Sequence, residues 1–219
     1  MQQSQVIEPF SAQDVRLRAV SRLAAALDQD PRELPIGAGD HLNSPQAFPN
    51  GLTPKRPAAV LVPVVARDDG ATILLTKRSE GLPQHSGQIA FPGGKIDACD
   101  SSPLACALRE AHEEIGLHAQ HIEPLGYLDA YATGSGFCIF PVLAIVTPPF
   151  DLILNEGEVD DAFEVPVRFL MDPTNHQRHM RQGSNGVTRY FPAMPYEDRL
   201  IWGATASMLK NLYERLYCD

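Results

Sequence analysis

Three observations predict an α+β or mixed-sheet layered domain. Strand-like runs stand on both sides of a central amphipathic helix near residues 102–117. Those runs do not alternate with helices in a regular βαβ rhythm, and helical patterns open and close the chain. With 219 residues, 44% of them hydrophobic and 21% charged, the chain has the length and composition of one large domain or a domain with an appendage.

Taken in order, Ser11 with Asp14 forms a helix-starting cap pattern. Leu17, Val20, Leu23, Ala24 and Leu27 then recur at helical spacing, predicting an amphipathic helix over 12–28. From Pro31 to Pro57 there are six prolines among Gly and Asn, so no regular element is expected there. The reading is therefore an N-terminal helix and linker over 1–57, followed by the main domain over 58–219. AAVLVPVVA (58–66) and TILLT (72–76) flank Asp68-Asp69-Gly70 and predict a hairpin. GQIAF (87–91), GYLDAYA (126–132) and FCIFPVLAIV (137–146) are further strand candidates. Near the end, Trp202, Ala206, Leu209, Leu212, Tyr213 and Leu216 mark the apolar face of a last helix.

Composition narrows the function. Lys and Arg total 18 against 27 Asp and Glu, a formal charge of −9. A broad nucleic-acid surface needs clustered cations and is not expected. A small anionic substrate remains open, because bound metal ions can carry the compensating charge. No apolar run approaches the roughly 20 residues of a membrane span, and MQQSQVIEPF lacks the layout of a signal peptide. Cys99, Cys106, Cys138 and Cys218 form no CxxC pair. Free thiols in a reducing, cytoplasmic compartment are the expectation.

The stretch SPLACALREAHEEIGL (102–117) carries the chemistry. Ser102 suits the N-cap, Pro103 the first helical position and Gly116 the exit. At roughly 100° per residue, Leu104, Leu108, Ala111 and Ile115 form the expected buried stripe. Glu110 and Glu114 lie one turn apart on a second face, and Arg109 and Glu113 on a third. Two carboxylates at that spacing repel unless a cation lies between them, and Mg²⁺ is commonly held by one or two carboxylates plus substrate phosphates. On the helix alone, a solvated acidic face is the competing interpretation. Arg109 is placed to brace Glu113.

Before this helix, FPGGK (91–95) sets two glycines at the end of a strand, where backbone can approach a ligand or offer a carbonyl. Together, Gly94, Arg109-Glu110, Glu113-Glu114 and Gly116 resemble the Nudix box, the signature of hydrolases of nucleoside diphosphates linked to another moiety. From Gly94 to Arg109 the chain has one residue more than the common box. Ser101 occupies the position of the usual midway acid, with Asp97 and Asp100 nearby. Upstream, LLTKRSEGLPQHSGQIAFPGG (74–94) is similar to the extra motif of the family's coenzyme A pyrophosphatase branch, with Pro83 standing where that branch usually has Arg.

The resemblance implies an α/β/α sandwich and a pyrophosphohydrolase that uses Mg²⁺ or Mn²⁺. Glu110, Glu114, Glu158 and a carbonyl near Gly93 would hold the metal. Arg109 and Glu113 would support the catalytic helix, and Glu110 or Glu158 would serve as base. Lys77, Arg78, Ser79, Gly87 and Gly94 would bind substrate. The implied substrate is coenzyme A or an acyl derivative, cut to 3′,5′-ADP and a 4′-phosphopantetheine product. Another diphosphate, such as ADP-ribose, NADH or a nucleoside triphosphate, and a noncatalytic nucleotide-binding module are the alternatives. Of the remaining residues, Trp202 is read as core, His112 as surface and His85 as a residue of the substrate-binding turn.

Overall fold

The computed structural model describes residues 7–23, 36–81, 85–183 and 186–218. Helix α1 spans Ala12–Leu23. As the sequence predicts, Ser11 caps it, with Oγ accepting the Asp14 N–H at 3.2 Å. Its buried face is Val15, Ala19 and Leu23, whereas Leu17 and Val20 are 46% and 56% exposed. The expected apolar face is thus turned: Leu23 settles against Gly126, which has no side chain to hold it off. Residues 24–28 of the expected helix lie outside the described residues.

The segment 31–57 was expected to hold no regular element. It holds β1 (Ala38–Gly39), α2 (Asp40–Asn43) and a 3₁₀ turn at Pro45–Ala47. Proline is compatible with that turn because it occupies the first position, where no N–H is required.

The strands β2 (Arg56–Val65), β3 (Thr72–Arg78), β4 (Ile89–Ala90) and β5 (Gly93–Lys95) precede helix α3 (Pro103–Ile115). After it come β6 (Ile122–Tyr127), β7 (Tyr131–Ala132), β8 (Phe137–Val146), β9 (Val159–Pro166) and the short α4 (Val167–Leu170). The chain closes with β10 (Gln177–Gln182), β11 (Thr188–Tyr196), β12 (Arg199–Trp202) and α5 (Gly203–Tyr217). The single strand expected over 126–132 is in fact the end of β6 and all of β7.

A nine-stranded mixed sheet runs β1–β7–β8–β2–β3–β4, with β5 on β2, β6 on β8 and β9 on β3. β2 and β8 lie parallel from Arg56 opposite Phe137 to Val65 opposite Val146. Their near-continuous apolar sequences suit burial on both faces. The hairpin of β2 and β3 pairs only Val64 with Ile73 and Val65 with Thr72. Beyond that the two strands separate, and segment 89–95 enters between them, Ile89–Ala90 on β3 and Gly93–Lys95 on β2. This splay puts the glycine pair inside the sheet.

Alternation along the strands divides the core. Val62, Val64, Ile73, Leu75, Leu143 and Ile145 share one cluster with α1 and α5. Leu61, Val65, Leu74, Val142 and Val146 share another with Cys106, Ala107, Ala111 and Ile115 of α3. Helices therefore cover both faces, the α/β/α sandwich that the sequence predicts. A separate antiparallel sheet, β10–β11–β12, was not anticipated.

Candidate active site

Helix α3 begins and ends as its sequence dictates. Ser102 Oγ accepts the Ala105 N–H at 3.1 Å, and Gly116 closes the helix with φ 69°, a conformation glycine adopts without a Cβ penalty. Its buried stripe is rotated from the expected one. Cys106, Ala107, Ala111, Glu114 and Ile115 are buried, while Leu104 and Leu108 are only partly covered. Small side chains at 106, 107 and 111 let the helix approach β2 closely. That approach carries Glu114 into the interior, where it is 3% exposed.

Two glycines make room for the carboxylates. A Cβ on Gly94 would lie 2.4 Å from Glu110 Cδ, and one on Gly93 would lie 2.4 Å from the Ala59 carbonyl oxygen. Gly93 also donates its N–H to Glu114 Oε2 at 3.1 Å. Burial raises the Glu114 pKa to about 7, against the opposing pull of the Gly93 N–H and the Arg78 guanidinium, while Glu110 and Glu158 push it further up. Burial likewise raises Glu110, offset by Arg109. Arg78 Nη1 stands 3.8 Å from Glu114 Oε1, and its buried Nε has no hydrogen-bond partner among the described residues.

Arg109 holds the base of the site together. It donates Nε and Nη2 to the two Asp100 oxygens at 3.0 and 2.9 Å. It also gives Nη1 to Glu110 Oε1 at 2.9 Å and to Glu113 Oε2 at 2.8 Å. The expected brace to Glu113 is present, but Glu113 is 54% exposed and Asp100 only 4%. Asp100, rather than the aligned Ser101, is the acid that meets the helix. Arg109 draws its carboxyl down to about 2.

A cavity of about 1120 Å³ opens over these groups. Glu110, Glu114, Glu158, Gly93, Gly94 and Arg78 all line it. Lys77, Ser79, Gly87, Arg109 and Glu113 stand outside that lining. Strand alternation separates neighbours here: Arg78 enters the cavity, while Lys77 pairs with Glu80 at 3.1 Å. Ser79 contributes its backbone, donating N–H to the Glu158 carbonyl at 2.8 Å. Gly87 supplies a positive φ of 66° to the turn before β4. Pro83 lies outside the described residues.

Several lining residues were not anticipated as such. Asp40, Ser44 and Phe48 come from the segment read as linker, and Arg181, Arg189 and Phe191 from the unpredicted sheet. Trp202, expected in the core, lines the cavity and tilts against Phe191 at a centroid distance of 5.3 Å. His85 also lines it, and His112 is exposed beside His118, 4.6 Å between rings.

The donor set fits a hard divalent cation. Among the described residues no group of three His, Cys, Asp or Glu forms a ready-made metal cluster. Glu110 and Glu114 nevertheless form a poorly solvated pair of carboxylates one helical turn apart, raised together by burial. Mg²⁺ is suited to such a partial site, since it keeps water and substrate oxygens in its coordination sphere. Among the described residues, no helix is long and apolar enough to cross a membrane.

The NUDIX domain family model matches residues 55–183. "Uncharacterized Nudix hydrolase NudL" of Yersinia enterocolitica is 38% identical over 160 residues, 73% of this chain and 80% of that protein. The protein of the same name from Yersinia pestis is 34% identical over 161 residues, 74% of this chain and 80% of that one. A crystal structure of a C. elegans Ap4A hydrolase binary complex aligns at a TM-score of 0.45 and 20% identity, over 51% of this chain and 80% of that chain. The match across 55–183 takes in both glycines and the whole of α3, and with relatives of this similarity the chain belongs to the NUDIX domain family and is a Nudix pyrophosphohydrolase.

Proposed function

We propose that this Nudix hydrolase cuts the diphosphate of coenzyme A or acyl-coenzyme A, giving 3′,5′-ADP and (acyl-)4′-phosphopantetheine. The observation that carries the reading is the convergence of two sequence features on one cavity. Arg78, from the LLTKRS segment that resembles the coenzyme A branch, lines it with Glu110 and Glu114. The cavity's volume, about 1120 Å³, is somewhat above the roughly 300–1,000 Å³ usual for small-molecule sites and leaves room for an extended ligand.

Glu110 and Glu114, with Glu158 and a carbonyl near Gly93, would hold Mg²⁺ or Mn²⁺. The chemistry supplied when such a cation is bound is charge neutralisation on the diphosphate and activation of a water molecule. Arg78 sets a guanidinium beside the carboxylates, its Nη1 3.8 Å from Glu114 Oε1, where it can meet a phosphate of the substrate. Arg109 holds Glu110 by one oxygen and fixes its rotamer. Glu158 is exposed, and its side chain accepts only the neutral Asn155 amide, at 3.3 Å, among the described residues. It is thus the carboxylate freest to take the proton of the attacking water.

The test is a product-mass assay with free and acylated coenzyme A, ADP-ribose, NADH and nucleoside triphosphates, each with Mg²⁺ or Mn²⁺. The masses of 3′,5′-ADP and the pantetheine phosphate are expected. Cleavage of the other substrates with coenzyme A left intact would reject the substrate class. No cleavage of any would reject turnover.

A further inference from the structure

Between residues 176 and 196 the chain carries Arg178, Arg181 and Arg189 and no Asp or Glu, in a protein of formal charge −9. β10 and β11 pair so that Arg181 stands directly opposite Arg189, and both line the cavity. Like charges directly opposite each other weaken an antiparallel ladder. Neither guanidinium has a carboxylate partner among the described residues; Arg189 lies instead over the Phe48 ring, 5.2 Å from its centroid. The positive pair is thus retained without an internal counter-ion, on the wall of a cavity.

The backbone beneath it is held on both sides of Arg189. Gln46 donates its side-chain amide to the Thr188 carbonyl at 3.1 Å. Ser44, 1% exposed, accepts the Tyr190 N–H at 2.6 Å and donates to the Tyr190 carbonyl at 2.9 Å. Phe48, Phe191 and Trp202 supply aromatic faces in the same cavity.

We infer that Arg181 and Arg189 form a subsite for a phosphomonoester dianion on the substrate, distinct from the diphosphate cut at Glu110 and Glu114. Two guanidinium forks match the oxygens of such a group, and the aromatic wall receives the attached base by stacking. The inference rests on the proposed function in one respect: in coenzyme A this group is the 3′-phosphate of the adenosine.

Calorimetric titration with 3′,5′-ADP and with 5′-AMP, at fixed Mg²⁺, tests it without turnover. The wild type should prefer 3′,5′-ADP by roughly 10- to 150-fold, the range of one charge-assisted hydrogen bond. In Arg181→Gln/Arg189→Gln the ratio should fall close to one, with Arg189→Lys between the two. Both positions are exposed, so melting temperatures should hold and confirm that the variants fold. A wild type without preference, or a double variant that keeps it, would overturn the subsite. The two readings fail separately: preference without coenzyme A cleavage defeats only the function, and cleavage without preference defeats only the subsite.

Discussion

Removing the Asp100 carboxylate should cost far more stability than removing Glu113, although both pair with Arg109. Asp100 takes two charge-assisted bonds, at 3.0 and 2.9 Å, and its side chain is 4% exposed. It also accepts the Asp97 N–H at 2.8 Å, closing the loop ahead of α3. Losing one buried partner of such a fork costs about 2–3 kcal/mol, reduced somewhat because Arg109 keeps Glu110 and is 25% exposed. Glu113, 54% exposed, contributes at most about 1 kcal/mol. At about 2–4 °C per kcal/mol for a chain of this size, Asp100→Ala should melt roughly 4–12 °C below wild type and Glu113→Ala less than about 4 °C below.

The pH dependence follows from the same contact. Arg109 lowers the Asp100 pKa from 3.8 to about 2, so between those values the unfolded chain binds more protons and stability rises with pH. The carboxylate's contribution is complete above about pH 4 and is lost as pH falls through about 2. Its linkage is worth about 2 kcal/mol at most, and nearer 1 with solvent screening at the guanidinium. Denaturant unfolding of wild type and Asp100→Ala across pH 2–7 measures it, with the gap narrowing toward pH 2. Equal stability at pH 7, or a Glu113→Ala deficit as large as that of Asp100→Ala, would refute the reasoning.

Glu114→Gln should bind Mn²⁺ at least tenfold more weakly, about 1.4 kcal/mol, yet melt no lower than wild type, because burying an amide costs less than burying a carboxylate; a clear drop in melting temperature would count against this account of its burial. Gly94→Ala should cut turnover at least tenfold, about 1.4 kcal/mol of barrier, by displacing Glu110, whereas Gly93→Ala should mainly destabilise, by about 1–3 kcal/mol, since its Cβ meets backbone. Kinetics and thermal melting of the two variants would separate these effects. Ser44→Ala should cost about 1–3 kcal/mol by leaving the Tyr190 N–H unpaired, and an unchanged denaturation midpoint would show that the segment is not anchored there.

The sequence was most legible where local rules and tertiary packing agree. The limits of α3 follow from Ser102, Pro103 and Gly116, and β8 occupies the whole apolar run 137–146. It was least legible where packing chose among equivalent local solutions. Periodicity identifies helices α1 and α3, but the phase of each depends on the surface met, so Leu17, Val20, Leu104 and Leu108 were read as more buried than they are. The sequence QRHMRQ of β10 has no apolar alternation because that strand is largely solvated. Its pairing with β11 forms the ladder all the same. Asp100 was legible only as one of two acids near Ser101, with Asp97, because spacing along the chain does not show that a loop folds the Asp100 carboxylate back toward α3.

In the site, Glu110, Glu114 and Glu158 were found as carboxylates by their spacing and resemblance, and they share one cavity. The contributions of Ser44, Phe48, Arg181 and Arg189 carry no such pattern. They reach the cavity only because segment 39–48 and β11 fold against each other.

The most direct measurement is mass-spectrometric detection of 3′,5′-ADP from coenzyme A, with and without Mg²⁺ or Mn²⁺, for wild type and for Glu110→Gln/Glu114→Gln. The account predicts product only from wild type and only with the divalent cation. Equal product from the double variant, or from wild type stripped of divalent cations, would contradict it.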